Sequence, residues 1–177
     1  MTHQSRPNSI ILTGFMGTGK STIGRRLAQR LGFKFVDMDA LLEARQGRLI
    51  RDIFEAEGEA YFRNLESQMC RELAGWRHRV ISTGGGTLVN PDNLATFTAQ
   101  NLVICLDCDP EELWRRLDSA RNRPMLDGDD RKQRLLDLLQ QRQPAYDQIE
   151  QHIDTTGRTV EAVVDEALSL WRQFSGK

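Results

Sequence analysis

Long apolar runs are missing from this 177-residue chain, and cysteine, proline and aromatic residues are scarce. No stretch approaches the roughly 20 apolar residues that a membrane-spanning helix requires, and Met1 to Asn8 is polar, so neither a membrane protein nor an exported precursor is expected. The 3 cysteines, Cys70, Cys105 and Cys108, are too few and too unevenly placed for a disulfide framework, which suits a reducing, cytoplasmic setting. Cys105 and Cys108 have a C-x-x-C spacing, but they close an apolar run that begins at Leu102, and no second ligand pair accompanies them. They read as part of a buried strand. An excess of one charge is lacking too, since 24 Lys and Arg face 25 Asp and Glu. Nucleic acid and anionic membranes are therefore not expected as partners, and any basic site must be local. Repeats and low-complexity linkers are absent, and the length is short for two independent domains, so one domain over residues 1–177 is expected.

What the chain does have is alternation. Apolar, β-branched runs at 9–13, 79–83 and 101–106, with shorter ones at 33–37 and 151–155, predict strands buried in a parallel sheet. Between them lie helical patterns at 21–31, 49–57, 59–73, 110–117 and 131–143. At the C-terminal end, Val160, Val163, Val164, Ala167, Leu168 and Trp171 recur at helical spacing. Strands alternating with helices predict a three-layer α/β sandwich.

Gly14, Gly17, Gly19, Lys20 and Ser21 fit G-x-x-x-x-G-K-[ST] directly after the first strand and directly before a helix. Glycines let backbone N–H groups turn inward around phosphates, and the helix N-terminus adds positive potential. Lys20 neutralises phosphate oxygens, and Ser21 offers a hydroxyl to Mg²⁺. A phosphate cradle alone does not separate a switch, a motor and a small-molecule kinase. The absence of an N-K-x-D sequence and the short length favour the last.

An acceptor site is predicted from four further features. Asp37 and Asp39 close the strand at 33–37, where α/β sheets bind ligands, and strand alternation would point them in different directions; an acidic helix cap is the alternative. Arg63 and Glu66 are three apart on a helix face and can pair, either to hold an anion-binding arginine rigid or as a surface ion pair. Gly84, Gly85 and Gly86 follow the strand at 79–83, as a close ligand approach or a flexible turn requires. Arg123 and Arg142 flank an acidic tip, Asp127 to Asp130, and would supply charge for phosphates and an anionic acceptor.

Together these residues resemble the shikimate kinase family, over about Ile10 to Ala167. The likeness is carried by the phosphate loop, the segment Phe35 to Asp39, Ile53 and Phe54 with Gly58 and Glu59, Phe62 and Arg63 with Glu66, Ser82 with Gly84 to Gly86, Arg123 with Pro124, and Arg142 with Pro144 and Tyr146. The resemblance implies a nucleoside-monophosphate-kinase-like P-loop fold with a five-stranded parallel sheet, an acceptor-binding segment at about 37–66 and a lid at about 115–130. It implies transfer of the γ-phosphate of MgATP to the 3-hydroxyl of shikimate, giving shikimate 3-phosphate and ADP in aromatic amino-acid biosynthesis, by a monomeric enzyme. Asp39 would be the catalytic base and contact the shikimate hydroxyls. Arg63 and Arg142 would hold its carboxylate, and Gly84, Gly85 and Gly86 would line its ring. Lys20 and Arg123 would stabilise the transferring phosphoryl group. ATP would rest on Gly14, Gly17, Thr18, Gly19, Lys20, Ser21 and Thr22, with Arg116, Arg123 and Arg158 completing the nucleotide site. Mg²⁺ would be held by Ser21 and, through water, by Asp37, with Ser82 also in the outer shell. Met125 and Ala145 stand where leucine is usual. A related kinase acting on gluconate or a nucleotide, or a binding module without chemistry, are the competing readings.

Overall fold

Ile10, Ile11 and Leu12 are wholly buried although strand alternation sends their side chains to opposite faces, so β1 (Ile10–Thr13) must be covered on both sides. The computed structural model, which describes residues 7–118 and 130–176, shows how. β1 is the central strand of a five-stranded sheet of order β2-β3-β1-β4-β5, with β2 at Lys34–Asp37, β3 at Arg79–Ser82, β4 at Leu102–Asp107 and β5 at Gln151–Asp154. All four pairings are parallel.

The two faces of the sheet carry separate cores. Ile10, Leu12, Val80, Ile104 and Leu106 pack against Ile23 and Leu27 of α1 (Lys20–Leu31) and against Val163, Val164, Ala167 and Trp171 of α8 (Val160–Ser175). On the other face, Ile11, Ile81, Val103 and Cys105 pack against Phe62, Met69 and Leu73 of α4 (Glu59–Leu73) and Phe97 of α5 (Pro91–Thr98). The same core takes in Leu113 and Leu117 of α6 (Pro110–Asp118) and Leu135 of α7 (Arg131–Tyr146). α2 (Met38–Gln46) and α3 (Ile50–Glu57) pack on α4 beside the β2 edge. Local chemistry sets the helix ends. The Thr159 hydroxyl accepts from the Ala162 N–H to start α8, and Gly32, at φ 67°, closes α1 in the left-handed conformation that glycine adopts without strain.

The predicted three-layer sandwich and parallel sheet are present. Two local expectations are corrected. β2 ends at Asp37, whose carboxylate caps α2 by accepting from the Ala40 N–H at 3.3 Å. Asp39 therefore lies in the first turn of a helix, and strand alternation does not set its direction. α7 runs past Gln143 to Tyr146, carrying Pro144 in its last turn. Sequence periodicity assigns no element between Thr83 and Asn101, and there the chain forms a 3-10 turn, Thr87–Val89, followed by α5. Asn90 and Pro91 signal the start of α5, with the Asn90 side chain accepting from the Asp92 N–H. Among the described residues, no helix is long and apolar enough to cross a membrane.

Candidate active site

The loop from β1 to α1 is wound by glycines. Gly14 has φ 126°, and a Cβ there would lie 2.3 Å from the Leu106 carbonyl oxygen, so no other residue fits against β4. Gly17 and Gly19 also have positive φ, 85° and 96°, and Gly19 caps α1. The buried Thr18 hydroxyl ties the loop by donating to the Phe15 carbonyl at 2.9 Å, and Thr22 is exposed on α1. Lys20 folds back over the loop, its ammonium donating to the Gly14 and Phe15 carbonyls, each at 2.9 Å. Beside it, the Ser21 hydroxyl donates to Asp37 Oδ2 at 2.8 Å, which joins the start of α1 to the end of β2. Asp37 pairs in register with Ser82, so these two residues close adjacent strands, with Ser21 bonded to the first from the start of α1.

The second half of the site lies across the β3 end. Asp39 Oδ1 sits where a Cβ on Gly84 would come within 2.8 Å of it. Burial, then the Glu66 and Asp37 carboxylates, raise the Asp39 pKa to about 6 against the opposing pull of Lys20. Glu66 is 2 % exposed and fully engaged, accepting from Arg63 Nη1 at 2.6 Å and from the Thr87 hydroxyl at 2.6 Å. Arg63 is gripped from its other side by Glu59, at 3.0 Å from Nη2. This pair is far from an ordinary surface ion pair, because one partner is desolvated and the guanidinium is held in one orientation.

The turn Gly84 to Gly86 passes through this cluster. A Cβ on Gly86 would meet the Arg63 guanidinium nitrogens at 3.0 and 3.1 Å and Arg142 Nη2 at 3.3 Å, and one on Gly85 would meet Arg142 Nη1 at 3.2 Å. Two guanidinium groups thus converge on main chain that has no side chains to obstruct them. Arg142 lies with its guanidinium carbon 5.8 Å from the centre of the Phe15 ring, and Tyr146, one turn further along α7, donates to the Gly85 carbonyl at 2.6 Å. Sequence reasoning did not assign roles to Phe15, Thr87 or Tyr146. The spacing of Tyr146 four residues after Arg142 is the signal that puts it on the same helix face.

The remaining predicted residues separate into two groups. Arg116 bonds the Gly17 carbonyl at 3.4 Å, the Thr155 carbonyl at 2.9 Å and the Glu112 carboxylate, so it bridges the phosphate loop to the end of β5. Arg158 bonds the Asp154 carbonyl at 3.0 Å and Glu166 at 2.6 Å at the same corner. Arg123, with most of the expected lid, lies outside the described residues. The resulting site combines an anion cradle, a hydroxyl-carboxylate pair, a carboxyl group poised near neutrality and two convergent arginines. That combination suits phosphoryl transfer to the hydroxyl of an anionic acceptor.

Known proteins resemble this chain in sequence and in fold. The family described as Shikimate kinase matches residues 16–172. The shikimate kinase of Geobacter sulfurreducens is 42 % identical over 173 residues, covering 98 % of this chain and 96 % of that protein. Among solved structures, a shikimate kinase from Acinetobacter baumannii in complex with shikimate superposes with a TM-score of 0.86 at 34 % identity, covering 93 % of this chain and 92 % of that one. A gluconokinase from Sinorhizobium meliloti shares the fold alone, with a TM-score of 0.61 at 16 % identity over 98 % of this chain and 96 % of its own. By profile, by sequence and by fold, this chain belongs to the shikimate kinase family.

Proposed function

We propose that the protein is an ATP-dependent kinase that moves the γ-phosphoryl group of ATP to the 3-hydroxyl of shikimate, yielding shikimate 3-phosphate and ADP for aromatic amino-acid biosynthesis. The observation that carries this reading is the convergence of Arg63 and Arg142 on the side-chain-free turn Gly84 to Gly86, opposite Asp39. A planar carboxylate is what two guanidinium forks recognise. A gluconate carboxylate offers the same charge, but likeness to the gluconokinase extends to the fold only.

In this reading Asp39 accepts the proton of the attacking hydroxyl, and its raised pKa of about 6 brings it close to the working pH, where a base transfers protons efficiently. Gly14, Gly17, Thr18, Gly19, Lys20, Ser21 and Thr22 receive the ATP phosphates. Arg116 and Arg158 flank the adenine, and Arg123 joins Lys20 on the transferring group. The Ser21 hydroxyl and Asp37 carboxylate form an oxygen donor pair 2.8 Å apart, which fits Mg²⁺, with Ser21 direct and Asp37 through water. When bound, that ion neutralises charge on the phosphate oxygens. Closure of a lid at about 115–130 excludes water that would otherwise hydrolyse ATP. We place the enzyme in the cytoplasm as a monomeric single kinase domain over 1–177, with its acceptor-binding segment at about 37–66. One sheet with a core on each face supports that organisation.

A coupled ADP-release assay with MgATP, comparing shikimate, gluconate and nucleoside monophosphates, tests the assignment. Strong release with shikimate alone is expected, and release only with another acceptor would overturn the role of Arg63 and Arg142. Asp39→Asn should lower kcat by about 100-fold or more while ATP affinity is retained. Equal losses in both would remove Asp39 from the role of base.

A further inference from the structure

Thr13, Cys105 and His152 stand side by side across β1, β4 and β5, because the register pairs Thr13 with Cys105 and Cys105 with His152. Alternation puts Thr13 and Cys105 on the sheet face that also carries Ile11 and Val103, and Asp107, two residues past Cys105, joins them there. This polar row does not take part in the phosphate cradle or the acceptor site.

Its internal geometry is that of a ligand set. The ring Nε2 of His152 lies 2.9 Å from the Ile149 carbonyl, which can only accept, so Nε2 carries the hydrogen and the ring is fixed in orientation. Nδ1 is then turned toward Asp107 Oδ2, 2.7 Å away. A ring nitrogen and a carboxylate oxygen at that distance need a hydrogen or a cation between them. On the other side of the carboxylate, Cys105 Sγ is 3.6 Å from Asp107 Oδ1. The sulfur, nitrogen and oxygen donors all lie within 4.8 Å of one another. Thr13, paired in register with Cys105 on the same face, has a completely buried hydroxyl with no hydrogen-bond partner, an unsatisfied polar atom in the same row.

We propose that Cys105, Asp107 and His152 form a binding site for a borderline-soft divalent cation of the Zn²⁺ type. Sulfur, imidazole and carboxylate together select Zn²⁺ or Co²⁺ over Mg²⁺. A tetrahedral ion at about 2.0–2.3 Å from each ligand needs donor atoms roughly 3.3–3.8 Å apart. The Cys105 Sγ–Asp107 Oδ1 separation of 3.6 Å already meets this, while His152 Nδ1 faces the other carboxylate oxygen, Oδ2, at 2.7 Å, so the carboxylate has to turn and the imidazole to draw back for one ion to reach all three. The Ile149 carbonyl supplies the outer hydrogen bond that ligating histidines typically make. One thiolate and one carboxylate balance the charge of the dication, so Lys20 nearby meets no net positive charge. Binding displaces the proton of the Cys105 thiol to solvent, with no change of oxidation state.

The test is a Co²⁺ titration of the full metal-free chain in reducing, Mg²⁺-free buffer. A thiolate-to-cobalt charge-transfer band should rise to saturation at one ion per chain, vanish on adding Zn²⁺ and resist excess Mg²⁺. C105S should abolish the band, and H152A should weaken Co²⁺ binding by about 100-fold or more. C108S and D39N should leave it unchanged, which separates this site from the neighbouring thiol and from the acceptor site. Asp107 and His152 are partly exposed, so D107N and H152A keep the test decisive if C105S does not fold. Absence of the band in the folded wild-type chain, its persistence in C105S, or undiminished Co²⁺ binding in H152A would each reduce the cluster to an Asp–His pair over a packed thiol and overturn the proposal.

Discussion

Asp39 and Glu66 are two acids in one small space, and their environments give them different tasks. Glu66 spends both oxygens on Arg63 and Thr87, so its charge is fixed in place and acts on Asp39 from a short distance. Replacing it by glutamine removes one of the negative charges that raise the Asp39 pKa. The acid limb of the kcat/KM profile, expected near pH 6 in the wild type, should therefore move to lower pH in E66Q, together with a higher KM for shikimate as Arg63 loses its anchor. An unmoved limb would show that Asp39 does not govern it. Gly86 offers a cleaner probe of the acceptor pocket. Its φ of −98° is open to any residue, and an added Cβ meets the guanidinium ends of Arg63 and Arg142 rather than backbone. G86A should raise the KM for shikimate by about 10-fold at nearly unchanged stability, read from steady-state kinetics and a thermal melt.

At the level of elements, Lys20, Ser21, Asp37 and Asp39 owe their positions to how a strand ends and a helix begins. Asp37 both terminates β2 and caps α2, so the strand-to-helix junction itself presents Asp39 to the glycine turn. α7 brings Arg142 to the glycine turn and, because it continues through Pro144, Tyr146 as well. In that last turn the missing N–H of proline costs one hydrogen bond, and the extension carries Tyr146 to the Gly85 carbonyl. On the far face, α8 supports the sheet, and its first two turns hold Arg158 through the Ala162 carbonyl and Glu166. T159A removes the side-chain cap on the Ala162 N–H and should lower stability by about 1 kcal/mol, measured by denaturant unfolding, with kcat and the KM for shikimate unchanged.

For the whole molecule, the raised pKa of Asp39 is also a statement about stability. A carboxyl whose folded-state pKa is about 6, against an ordinary 3.8, binds its proton more tightly when folded. Its contribution favours the fold fully at acid pH and is lost as pH rises through about 6, so the ionised group is a burden at neutrality. D39N should accordingly be more stable than the wild type at pH 7, by up to about 2 kcal/mol, and the difference should disappear below roughly pH 4. Thermal melts across that range check the sign, and a wild type that is the more stable at pH 7 would contradict the burial of this carboxylate. The molecule thus carries destabilisation at the point where a base is needed.

Much of this protein is local and so can be read directly from the chain. The phosphate loop depends on φ values only glycine tolerates and on a lysine and a hydroxyl at fixed offsets. The strands of the sheet announce themselves because burial on both faces demands continuous apolar runs, and the family resemblance follows from such short patterns. What local pattern does not contain is distance between segments. That Glu66 is buried, that Arg63 and Arg142 meet over the same two glycines, and that Arg116 touches Gly17 all depend on how strands are ordered in the sheet. The direction of Asp39 likewise came from the helix cap at Asp37 and not from strand alternation. The row of Cys105, Asp107 and His152 shows the same division most plainly. In sequence the cysteine reads as strand filler, and only the parallel pairing of β4 with β5, which sets residues 47 apart side by side on one face, makes it part of a ligand set.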